Sequence, residues 1–189
     1  AERAALARRA VAGGARMIKV KIAPGDDLAR LHTVRGAVGR VPLAADANGA
    51  YESRSDVVAL DDFGLAYLEQ PFRAGLGWEE LADLQGGLVT PIALDESIAS
   101  TADVVAAAAA GALGVVSLKP ARMGGIEEAL AAGVAAEGLG LAAFVGGMLE
   151  LVVGRAGAAA LAACGFCVLP SDLGPSQDYV VEDLAEDVV

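Results

Sequence analysis

The sequence holds three lysines, Lys19, Lys21 and Lys119, against eleven arginines (14 Lys+Arg less 3). A chain that takes arginine for its ordinary positive charge has kept lysine for two apolar, strand-like runs, residues 17–22 and 115–119. Lysine lowers its pKa readily in a confined site and can then act as a base, a role closed to arginine. Lys19 and Lys21 stand two apart, so on a strand both point to the same side. Acidic residues close three apolar runs in between, at Asp46, Glu69 and Asp95. From Lys21 to Lys119 the intervals are 25, 23, 26 and 24 residues, each the length of one strand-loop-helix-loop unit. Three converging carboxylates are hard oxygen ligands suited to Mg²⁺, with Mn²⁺ as the alternative ion. A lysine base beside such an ion suits abstraction of a proton α to a carboxylate, the ion stabilising the enediolate. The expected ligand is a small-molecule carboxylate.

The elements that must position these residues alternate strictly. Helices are expected over residues 2–12, 26–38, 53–64, 78–84, 100–111, 126–137 and 149–163. Strands are expected over 17–22, 41–46, 65–69, 91–95, 115–119, 139–145 and 168–172. Such alternation implies parallel strands with helices outside, and apolar runs mark strands covered on both faces. An open doubly wound sheet is the alternative, but no G-x-G-x-x-G follows the first strand to support a nucleotide site. Charged residues at successive strand ends favour a (β/α)8 barrel, whose active sites lie at the C-terminal ends of the strands. A complete barrel takes about 250 residues. The 189 residues here are read as an incomplete barrel domain, residues 1–189, holding strands two to eight. Lys119 on strand six would then face Lys21 on strand two across the pocket. The exposed edges of an incomplete barrel call for a partner chain, a dimer interface as in a homo-oligomer, or the missing residues to cover them.

Composition narrows the partners. The net charge of −11 argues against nucleic acid and anionic membrane as ligands. No apolar run of about 18 residues suggests a membrane span. The start of the chain lacks the layout of a signal peptide. With only two cysteines, a reducing intracellular setting, the cytoplasm, is expected. Cys164-Gly165-Phe166-Cys167 has no second pair for zinc and is read as structural. His32 and Trp78 are read as surface and packing residues.

Five stretches carry a family resemblance. Lys19-Val20-Lys21, Asp46-Ala47-Asn48, Glu69-Gln70-Pro71, Asp95-Glu96-Ser97 and residues 119–125 (Lys-Pro-Ala-Arg-Met-Gly-Gly) resemble the enolase superfamily, muconate-lactonising-enzyme subgroup. Residues 146–150 (Gly-Gly-Met-Leu-Glu) and 170–173 (Pro-Ser-Asp-Leu) are most like the o-succinylbenzoate synthase and N-succinylamino acid racemase family. The resemblance implies that Asp46, Glu69 and Asp95 hold Mg²⁺, that Lys21 is the base, and that Lys19 assists it. Lys119 would stabilise the enediolate in the synthase, or serve as the opposite-face acid/base in the racemase. Asn48, Gly146, Gly147 and Met148 would line the substrate site.

The implied activity is dehydration of the cyclohexadiene carboxylate precursor of menaquinone to o-succinylbenzoate, a carbon-oxygen lyase reaction. The alternatives are racemisation of N-acylamino acids and a catalytically inactive fragment of such an enzyme. Dipeptide epimerases are similar in the lysines, yet the Asp-x-Asp expected after strand eight is Ser171-Asp172-Leu173 here. The family's N-terminal capping domain and first barrel strand have no counterpart in this sequence, and the family chain runs on past Val189. A piece of a longer protein is therefore expected.

Overall fold

The computed structural model describes residues 2–186. Helix α1 (Glu2–Ala12) precedes six strand-helix units. These are β1 (Ile18–Lys21) with α2 (Asp27–Val38), β2 (Leu43–Asp46) with α3 (Arg54–Val58), and β3 (Leu68–Glu69) with α4 (Trp78–Gln85). They continue as β4 (Ile92–Leu94) with α5 (Thr101–Ala110), β5 (Val115–Leu118) with α6 (Ile126–Gly138), and β6 (Ala142–Val145) with α7 (Val152–Ala162). The strands form one parallel sheet in the order β1-β2-β3-β4-β5-β6. Sequential parallel order with helices between neighbours is the winding of a (β/α)8 barrel, of which this is an incomplete ring.

The expected seventh strand, 168–172, is only partly a strand. It follows β6 through Leu169 N–H to Ala143 O (3.3 Å), Asp172 N–H to Val145 O (2.9 Å) and Gly147 N–H to Asp172 O (2.7 Å). Only Gly146 and Asp172 form a β-bridge. Pro170 has no N–H to give, and the N–H of Val145 is taken by the Ser171 hydroxyl at 3.0 Å instead of a carbonyl. The run lies alongside β6 without a continuous ladder. On the other side of the sheet, β1 pairs only with β2. A groove of about 570 Å³ runs between β1, α1 and residues 170–172.

Two layers of apolar side chains hold the sheet. The larger lies between strands and helices and includes Leu31, Leu43, Leu68, Ile92, Leu94, Val116 and Leu118. The smaller lies inside the ring: Ala44, Tyr67, Ala93, Val115 and Phe144. Tyr67 and Phe144 stack with centroids 5.0 Å apart and planes at 18°, flooring the barrel. Side chains alternate along a strand, so two residues above Ala44, Tyr67 and Ala93 the inward positions are Asp46, Glu69 and Asp95.

Helix ends explain the remaining departures. The helix expected over 53–64 is α only through Val58, then a 3₁₀ turn at Asp61–Phe63. The Asp61 carboxylate turns outward to accept the N–H groups of Val89 (2.9 Å) and Thr90 (2.7 Å). Helix α7 starts at Val152, not at 149, where Asp183 accepts the Val152 N–H at 3.0 Å and serves as its cap. Ser100 caps α5 as its position suggests, accepting the Asp103 N–H at 3.2 Å. His32 lies on α2 with its ring edge against Phe63. Trp78 packs against the main core. No described helix is long and apolar enough to cross a membrane.

One contact ties α6 to the chain leading into 168–172. A Cβ on Gly133 would lie 2.4 Å from the Phe166 ring, which is buried there. The Gly133→Ala variant is expected to lose about 1–3 kcal/mol of stability through overpacking, read as a lower urea midpoint.

Candidate active site at the strand ends

Strand register sets the site. Lys21 pairs with Asp46 and Asp46 with Glu69, so these three stand level across β1, β2 and β3. Asp95 and Lys119 each sit one residue past the last residue of β4 and β5. Asp46, Glu69 and Asp95 are 3%, 0% and 1% exposed, a burial that charged groups sustain only when paired.

Lysines supply the pairing. Lys19 Nζ lies 2.9 Å from Glu69 Oε2, 3.4 Å from Asp46 Oδ2 and 2.9 Å from Asp172 Oδ2. It also stands 5.7 Å from the centroid of Phe144, within cation-π range. Burial disfavours its charge, but the carboxylates of Glu69, Asp172 and Asp46 outweigh burial and hold its pKa well above the ordinary value. Lys19 is thus held as a cation. Lys21 is far more open, its side chain 70% exposed, and reaches Asp46 Oδ2 at 3.2 Å. It also donates a short hydrogen bond to Asn48 Oδ1. Lys119 donates to Asp95 Oδ2 at 2.6 Å.

A single pocket of about 260 Å³ gathers Lys19, Lys21, Asp46, Asn48, Lys119, Gly147 and Asp172. The lysines of strand-like runs far apart in sequence therefore open into one space. The larger groove beside β1 meets this pocket at Lys19, Lys21 and Asp172 but is otherwise lined mainly by α1 and β1. The charged side chains of the strand ends converge on the smaller space. Met148 is 45% exposed on the loop beyond and does not line it. Gly146 lies beneath: a Cβ there would fall 2.7 Å from Ser117 Oγ and 2.8 Å from Lys119 Cε. This glycine gives the Lys119 stem its path into the pocket.

Two partners escaped the sequence reading. Arg122 forms a short ion pair with Asp95 Oδ1. It stands in the turn after β5, where Arg122 N–H bonds to Lys119 O at 2.9 Å and no strand period can be read. Asp172 meets Lys19 across 153 residues of sequence. The Ser171-Asp172-Leu173 run gave its position but nothing of its partner.

Among the described residues no three acidic, His or Cys side chains enclose a common point as they stand. The carboxylates are turned onto Lys19, Lys21, Lys119 and Arg122. Oε2 of the buried Glu69 is held by the Lys19 ammonium at 2.9 Å, while Oε1 has no hydrogen-bond partner among the described residues. An all-carboxylate set with an unpartnered buried oxygen at its centre fits a hard cation, which Asp46, Glu69 and Asp95 would hold.

Burial pushes the Glu69 carboxyl up from 4.5 to about 7; Lys19 opposes the rise and Asp46 adds to it. A raised carboxyl pKa means that the folded chain binds a proton that the unfolded chain releases. That contribution is full below pH 4.5 and lost as the pH rises through 7. Asp61, Glu128 and Asp183, all held below their ordinary values, titrate beneath this window. Without divalent cations, the chain is expected to be more stable at pH 5 than at pH 8. Glu69 would contribute on the order of 2 kcal/mol to this, and Glu69→Gln should narrow the gap in thermal melts.

Comparison with known proteins gives these residues a lineage. Residues 2–189 match the protein family described as Enolase C-terminal domain-like. The chain is 40% identical over 181 residues to the N-succinylamino acid racemase of Thermus thermophilus, covering 93% of this chain and 48% of the relative. It is 41% identical over 181 residues to the o-succinylbenzoate synthase of Geobacillus kaustophilus, covering 93% and 47%. A crystal structure of an unknown member of the enolase superfamily from Enterococcus faecalis superposes with a TM-score of 0.90 at 35% identity, over 96% of this chain and 50% of that one. The chain spans about half the length of the curated relatives it matches. By the family match over nearly its whole length and by these identities, the chain belongs to the enolase superfamily.

Proposed function

We propose that this chain carries the proton-abstracting site of an o-succinylbenzoate synthase, with Asp46, Glu69 and Asp95 as ligands of Mg²⁺. The observation that carries this reading is Glu69, fully buried with Oε2 on the Lys19 ammonium and Oε1 unpartnered among the described residues, beneath lysines that open into one pocket. When bound, the ion would supply Lewis-acid stabilisation of charge developing on the substrate carboxylate. Lys21 is the base: it is the most exposed of the pocket lysines, and Asn48 and Asp46 aim its Nζ. It takes the α-proton, and loss of the neighbouring hydroxyl completes the removal of one water. Lys19, held charged by its carboxylates, orients and balances the site and moves no proton. Lys119 enters the same pocket from β5 and offers a second cation to the developing negative charge.

Racemisation of N-succinylamino acids is the second reading. It is favoured by the 40% identity to a protein of that name and by Lys119 facing the pocket that Lys21 faces. There Lys21 would take the α-proton on one face and Lys119 return one on the other. A cation-binding chain inactive on both substrates is the third outcome, and the length relation to the relatives keeps it in view.

Conversion of the succinyl-cyclohexadiene carboxylate, followed by chromatography, is expected with Mg²⁺ and not with excess chelator. Lys21→Ala should lower the rate by about 10²–10⁴-fold, the usual worth of a positioned base. Wild-type turnover by Lys21→Ala would sink the assignment. In D₂O, Mg²⁺-dependent exchange of the α-proton of N-succinylamino acids that needs both Lys21 and Lys119 would select the racemase reading.

A further inference from the structure

The residue after Glu69 has a task that its neighbours leave undone. Asp46 and Glu69 lie inside strands, where ladder pairing fixes their backbones. Asp95 does not: β4 ends at Leu94, and the β3–β4 pairing stops at Glu69 with Ala93. The third carboxylate thus stands beyond the ladder, with its side chain drawn by Lys119 and Arg122.

Gln70 reaches it from the side. This residue is 1% exposed, and its carboxamide makes four hydrogen bonds. Oε1 accepts the N–H of Asp95 at 3.0 Å and of Ser97 at 3.2 Å. Nε2 donates to Phe72 O and to Ser97 Oγ, both at 2.8 Å. Two donors and a doubly accepting oxygen exhaust what a carboxamide can do. Its backbone joins the same knot, Gln70 N–H donating to Ala93 O at 2.8 Å and Gln70 O accepting from Gly49 N–H at 2.7 Å. The chain bends through φ +39° here, a left-handed conformation that side-chain-bearing residues rarely adopt. Strain of this kind persists where the surroundings over-determine it.

We infer that Gln70 is the positioning residue of the cation site, its carboxamide standing in for the missing ladder and setting Asp95 relative to Glu69. The inference rests on the cation reading above. It assigns Gln70 no contact with ion or substrate, since its amide is spent on the chain.

The test compares two glutamines at opposite ends of β4. Gln85 also bridges backbone groups, accepting from Ile92 N–H at 2.7 Å and donating to Thr90 O at 3.3 Å, away from the carboxylates. Gln70→Gly removes the amide while easing the positive φ, and Gln85→Ala removes the remote bridge. Mg²⁺ titration calorimetry is expected to show roughly 10- to 100-fold weaker binding for Gln70→Gly, as for other groups that orient metal ligands. Hydrogen exchange at the Asp95 and Ser97 amides should quicken in the same variant. Gln85→Ala should lower the melting temperature and leave the Mg²⁺ affinity and both amides as in the wild type. Should Gln70→Gly not fold, Ser97→Ala removes one of the four partners and should shift affinity and Asp95 exchange the same way, by less.

Wild-type Mg²⁺ affinity in Gln70→Gly, or equal weakening by Gln85→Ala, would overturn the inference. Absence of Mg²⁺ binding to the wild type would overturn the cation reading and this role with it. Unchanged exchange at Asp95 in Gln70→Gly would overturn the positioning claim even where Mg²⁺ binds.

Discussion

Three carboxylates buried side by side cannot stand without positive charge among them. Asp46, Glu69 and Asp95 are each 3% exposed or less, and each repels the next. Taking such charges out of water costs several kcal/mol apiece in real proteins, so compensation is a condition of folding as well as of chemistry. Lys19 meets that condition from β1, touching Glu69 and Asp46 together, and Lys119 and Arg122 meet it at Asp95. The cations that neutralise the site are also those available to act in it. Lysine is reserved for the pocket for that reason: of the basic residues, only three are lysine and all three line it.

The rest of the architecture serves to present this cluster. Tyr67 and Phe144 close the barrel from below, so the charges rest on an apolar floor. Parallel register sets the first two carboxylates level, and glycine at 146 clears the way for the Lys119 stem. Loop strain gathers at the same rim: Asn48 and Gln70, at φ +44° and +39°, are the two non-glycine residues with positive φ among the described residues, and each follows a carboxylate closely.

Much of this was legible because parallel strands impose rules on sequence. A period of two put Lys19 and Lys21 on the same side of their strand. Intervals of 23 to 26 residues marked the repeating unit. Helix limits were read well where a cap spoke for them, as at Ser100, and poorly where a distant side chain did the capping, as Asp183 does for α7. The run 168–172 looked like a strand because its apolar pattern is that of one. What the pattern omits is that Pro170 has no donor and that Ser171 supplies a hydroxyl where a carbonyl was expected. Asp172 and Arg122 escaped for a related reason. Their partners are chosen by closure of the ring and by a turn, neither of which leaves a period in the sequence.

The separation of buried from surface charge has a consequence for ionic strength. The pairs around Glu69 and Asp95 are largely buried, so screening reaches them little. The chain as a whole carries a net charge of −11, and a surface pair such as Arg73 with Glu52, 83% and 86% exposed, offers little cohesion to lose. Added salt therefore relieves the mutual repulsion of the acidic exterior while leaving the interior contacts intact. For this chain, electrolyte is expected to stabilise the fold.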